Sequence, residues 1–80
     1  MDANVIREAL HKQPFEPFIF RLVDGRQLSI PHPDFVAVSN RRVLVISPQD
    51  ESVTWLEPLL IVSIDYAGAS PGVPPSGNGV

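Results

Sequence analysis

Cysteine is absent from the 80 residues, which excludes a disulfide framework and a thiolate zinc site as sources of stability. Positive charge is scarce as well: six Lys and Arg stand against nine Asp and Glu, for a formal net charge of -3. Non-specific capture of phosphate backbones draws its affinity from clustered cations, so a main role of that kind is not expected, and only a local basic patch stays open. No apolar run approaches a membrane-spanning length, and MDANVIREALHK carries charges where a secretory signal keeps an uninterrupted apolar stretch. Cytoplasmic residence is the expectation. Glycine is nearly missing from residues 1–66, where Gly25 is the one example of the five in the chain. The others gather in AGASPGVPPSGNGV, residues 67–80, which holds no charged side chain and reads as a disordered Gly/Pro/Ser tail.

What is present is a globular mixture, 44% hydrophobic and 19% charged, sized for one small helix-plus-barrel domain over residues 1–66. A core this small is only marginally sufficient, so self-association is a natural supplement. Asp2 is placed to cap a helix in which Val5, Ile6, Ala9 and Leu10 share one face, with Glu8 and Lys12 as an i,i+4 pair, and Pro14 ends it. QPFEPF follows as an extended connector; its PxxP spacing is that of an SH3 ligand, but Phe15 and Phe18 read better as anchors of the helix. From Phe18 the period becomes two. Strands are expected from Phe18 to Val23, Gln27 to Ile30, Phe35 to Ser39, Arg42 to Ser47, Ser52 to Glu57 and Leu60 to Tyr66, joined by short turns at Asp24-Gly25, Asn40-Arg41, 48–51 and Glu57-Pro58. The fold class is therefore mainly β with one N-terminal α-helix, an antiparallel five- or six-stranded meander curled into a small barrel or half-barrel.

One helix followed by short strands, with Leu22, Asp24, Gly25 and Arg26 at the first hairpin and Ile61 to Ile64 closing the set, resembles the Sm-like member of the SH3-type small barrels. In that likeness Gln27 through Ser39 corresponds to a long bent second strand, which Pro31 and Pro33 interrupt here. The segment QPFEPFIFRLVDGRQLSIPHPDFVAVS is similar, more narrowly, to short uncharacterised bacterial proteins with a QPFxPF, LxDGR and HPxF arrangement. That likeness brings no activity with it. The Sm-like likeness implies ring assembly through strand edges and, for several members, RNA binding.

His32-Pro33-Asp34 spells the tripeptide of J-domain cochaperones, but the long antiparallel helices that flank it there have no counterpart in this sequence. A metal site on His32 and Asp34 would need a further ligand such as His11 or Glu16, and no metal or other cofactor is expected. The segment reads as a corner: Pro33 cannot join a ladder, Asp34 bonds nearby amides, and Phe35 returns to the core, leaving His32 as an exposed contact. Catalysis has little to work with, since Ser29, Ser39, Ser47, Ser52 and Ser63 lie in strands or turns without a nucleophile elbow, and no glycine-rich phosphate loop is present. Neither enzyme activity nor a small-molecule substrate is expected.

Alternation assigns Phe18, Phe20, Leu22, Leu28, Ile30, Val38, Leu44, Ile46, Trp55, Val62 and Ile64 to the core. Ile19, Val23, Val43, Val45 and Ile61 then point elsewhere, and with His32 they form the candidate interaction set. Surplus apolar surface on so small a chain points to a non-enzymatic interaction or assembly module, a homo-oligomer or the binder of a protein partner. The alternative is an Sm-like RNA-binding regulator, for which Arg26, Arg41 and Arg42 are the candidate contacts, although Phe18, Phe20, Phe35 and Trp55 all read as core rather than as stacking platforms.

Overall fold

The computed structural model describes residues 1–66. The tail expected at 67–80 lies outside them. Helix α1 (Ala3–Leu10) begins where Asp2 accepts the Asn4 amide at 3.2 Å, and it ends on His11, three residues before Pro14. Its buried face is Ala3, Ile6, Ala9 and Leu10; Val5, expected on that face, is exposed. Lys12 turns away from Glu8 and pairs with Glu16 at 2.6 Å instead, with its ammonium 4.8 Å from the centre of the Tyr66 ring.

Six strands follow: β1 (Phe18–Leu22), β2 (Gln27–Ile30), β3 (Val36–Val38), β4 (Val43–Ile46), β5 (Val53–Leu56) and β6 (Ile61–Tyr66). They form two three-stranded antiparallel sheets, ordered β2-β1-β6 and β3-β4-β5, that do not close into a continuous barrel. The connectivity departs from a pure meander because β6 returns to pair with β1. Pro31 to Pro33 divides the expected long second strand, and a 3-10 turn over Pro33–Phe35 takes up the first residue expected of β3. Phe35 consequently stops half-buried.

The first hairpin holds the register expected of it. Gly25 adopts φ +92, a conformation that a side chain resists, so Leu22 and Arg26 close a three-residue turn and Phe20 meets Leu28 while Phe18 meets Ile30. Phe18, Phe20, Ile6, Ile30, Ile61 and Val43 are the largest fully buried side chains, and the core draws on α1 and both sheets.

Inward and outward faces are exchanged on β4 and β5, while Val38 on β3 packs against the core as expected. Val43 and Val45 are 0% and 3% exposed, so they belong to the core, whereas Leu44 and Ile46 are only half-buried. The two-residue turn Asn40-Arg41 decides this: it sets Val38 against Val43 and Val36 against Val45, and residues directly opposite in an antiparallel pair share a face. The register then carries to β5, where Leu44 faces Trp55 and Val43 faces Leu56. Leu56 is therefore buried and Trp55 is not. On β6 the register slips between Arg21 and Leu22, so that Ser63 and Ile61 take consecutive partners and Val62 bulges out unpaired. Ile61 and Ile64 thus both face inward, and Val62, expected in the core, is exposed.

Candidate functional site

The exchange of faces builds the most conspicuous surface of the described residues. On the outer side of the second sheet, cross-strand rows place Ala37 beside Leu44 beside Trp55, and Ile46 beside Val53. Trp55 is 68% exposed at the end of the first row, and Val53 is exposed at the end of the second. Arg42 and Glu57 continue the same register and approach to 4.0 Å, which closes the apolar rows with a charged pair. Trp55 and Arg42 line two shallow depressions, one running over Val38 and Leu44 and the other reaching Leu60. An indole this exposed, framed by aliphatic side chains and an arginine, has the composition of an interface anchor.

The residues expected to make contacts are distributed differently. Val43, Val45 and Ile61 are buried and so unavailable to a partner. Ile19 is half-buried on the far side of the first sheet, and Val23 is exposed in the first turn, where its amide donates to the Leu60 carbonyl at 3.0 Å. Alternation assigns Trp55 to the core, but the turn lengths point the other way: once Val38 is placed inward, Asn40-Arg41 and the loop at 48–51 force Trp55 outward.

His32 caps the 3-10 turn by accepting the Asp34 amide through Nδ1 at 3.2 Å, and its ring lies 6.4 Å from that of Phe15. Its Nδ1 is thus spent on local structure, while the ring remains exposed. Among the described residues no three His, Asp or Glu side chains gather as metal ligands.

The arginines do not form a single patch. Arg26 is engaged by Asp24 at 2.8 Å, in a turn whose amide at Arg26 also binds that carboxylate. Arg41 and Arg42 line an open groove of about 450 Å³ between the start of α1 and the Glu57–Leu59 segment, together with the carboxylates of Asp2 and Glu57. The Met1 nitrogen ties that end of α1 down by donating to the Pro58 carbonyl at 2.8 Å. Residues of both signs line the groove, so it presents no field of one sign.

No helix among the described residues is long and apolar enough to cross a membrane. Set against known protein families, curated proteins and solved structures, the chain matches none.

Proposed function

We propose that the protein is a non-enzymatic interaction module whose contact surface is the outer face of β3, β4 and β5, with Trp55 as its anchor. The observation that carries this reading is the exposed indole at the end of an apolar row, where burial on a partner gains far more than on a polar surface. Full burial of such a side chain contributes about 1.5–3 kcal/mol from area alone. The strand order supports a small Sm-like barrel opened at the Pro31–Pro33 corner, with β2 and β3 as the two halves of one bent strand. That architecture suits a scaffold for contacts made on its strands. Residence in the cytoplasm is part of the same proposal.

RNA binding has one feature in its favour, an exposed Trp55 beside Arg42 on which a base could stack. Against it, Asp24 and Glu57 lie beside Arg26 and Arg42, and the whole chain is acidic. Protein contact is the better reading. Light scattering of the purified protein and of Trp55→Ser, with titration of single-stranded RNA at low salt, tests it. A self-association or partner affinity that falls about tenfold or more in the variant supports the interaction face. RNA binding that weakens with salt and in Arg41→Ala/Arg42→Ala would transfer the site to nucleic acid.

A further inference from the structure

We infer that the partner of this face is a second copy of the chain, paired antiparallel through the free edge of β5 about a two-fold axis; the inference rests on the interaction reading of Trp55. The first observation is the direction of the backbone groups. Ser47 donates its amide to the Ser52 carbonyl at 2.8 Å, and alternation along an antiparallel ladder makes Val45 with Thr54, and Val43 with Leu56, the next hydrogen-bonded pairs. The bond from the Ser39 amide to the Arg42 carbonyl, at 2.9 Å, gives the same phase on the β3 side of β4. Val53 and Trp55 therefore turn their amides and carbonyls away from β4, toward an edge with no strand partner among the described residues.

The second observation is that this edge lacks the devices that keep strand edges apart. β2 runs into Pro31; β3 is three residues long and led by Pro33; β6 carries the Val62 bulge and the Arg21–Asp65 ion pair. β5, reading Val53-Thr54-Trp55-Leu56, has no charge, no proline and no bulge. Its exposed side chains Val53 and Trp55 stand on the same face as the apolar rows, so adding a strand there extends the contact surface.

A two-fold axis is the symmetry that lets one such edge complete another, because the same groups serve on both copies. Two-fold pairing also keeps odd-numbered residues opposite odd-numbered ones, which leaves both Trp55 faces on one side of a six-stranded sheet. Of the registers that allow this, setting Trp55 opposite its mate places Val53 opposite Glu57. Moving two residues back would bring Glu51 opposite Glu57, a like-charge pair. The Trp55-to-Trp55 register is the one assigned. Four residues of strand span only about 13 Å, so the interface is at the small end and the dissociation constant should be on the order of micromolar.

Sedimentation equilibrium over a wide concentration range tests this with three substitutions at Val53, the first residue of β5. Val53→Pro removes an amide that the fold does not use, and proline is tolerated at the start of an edge strand; Val53→Glu sets like charges opposite Glu57 of the mate, and Val53→Lys sets opposite ones. The expected result is a reversible dimer for the native chain, with the dissociation constant raised about tenfold or more by Pro and Glu and not by Lys, all variants retaining the native circular dichroism. If Val53→Pro does not fold, the contrast between Glu and Lys decides alone. Equal weakening by Glu and Lys overturns the register. A dimer lost in Trp55→Ser but intact in Val53→Pro overturns edge pairing and leaves the interaction face standing. Masses of higher multiples overturn the two-fold, and a chain that stays monomeric while Trp55 binds another protein overturns the second copy as partner.

Discussion

Trp55 and Leu56 are neighbours on one strand with opposite surroundings, the first 68% exposed and the second 3%. Sequence hydrophobicity alone ranks the tryptophan as the core residue, so substitution energies separate the two assignments. Leu56→Ala should cost about 2–5 kcal/mol, the transfer free energy of the side chain plus the cavity it leaves. Trp55→Ser, measured at concentrations where the chain is monomeric, should stay within about 0.5 kcal/mol of the native value, because the indole leaves no hole behind. Urea unfolding checks both, and a larger loss for Trp55 than for Leu56 would reverse the faces of β5. Phe18, Phe20, Leu22 and Ile30 were legible in the sequence because polar residues at Arg21, Gln27 and Ser29 mark the outer face of their strands. Val43-Leu44-Val45-Ile46 offers no such contrast. Period two is invisible when every position is apolar, and the buried pair is then selected by the turn that precedes it.

At the scale of elements, the turns carry what the strands do not. Asp24 in the first hairpin is held below the ordinary carboxylate range chiefly by the backbone amide of Arg26, with the Arg26 side chain adding to it. Asp50, before β5, is lowered in the same way, first by the Ser52 amide that it accepts at 3.1 Å. A carboxyl whose folded pKa is depressed binds its proton more weakly than in the unfolded chain. Its contribution to stability is thus fully present above the unfolded value and is lost as pH falls through the folded one. Both hairpins should loosen on the acid side of the carboxylate range and be unaffected by alkali. Asn at both positions keeps an acceptor for the amides and abolishes the titration, so the double variant Asp24→Asn/Asp50→Asn should lose stability less steeply than the native protein between neutral and acid pH. Parallel acid profiles for the two proteins would show that these turns do not contribute to the dependence. The hairpin at Asp24-Gly25 was readable from two residues because Gly25 supplies a positive φ at no steric cost, whereas the Val62 bulge follows from how β6 meets β1 and has no local signature.

The described residues form two small sheets and one short helix, and their core rests on about a dozen buried apolar side chains. Domains of this size bury a smaller fraction of their surface than larger ones, so association contributes proportionately more to their stability. A dimer joined through β5 converts two open three-stranded sheets into one six-stranded sheet and sets the exposed indoles of the two copies side by side on one face. Unfolding then releases two chains, and mass action makes the transition depend on protein concentration. Above the dissociation constant, a tenfold rise in concentration adds about 1.4 kcal/mol per dimer, which for two chains of this length raises the melting temperature by about 3–5 °C. Below it, the temperature should level off at the value of the single domain. Val53→Pro, whose dissociation constant the edge pairing predicts to be raised about tenfold or more, should begin its rise at a correspondingly higher concentration and should match the native chain at high dilution. Thermal unfolding followed by fluorescence from well below micromolar to millimolar concentration reads both limits in one series. A native melting temperature that is flat across the range would mean that the β5 edge is not paired with a copy of the same chain in solution, whatever other partner the surface around Trp55 meets.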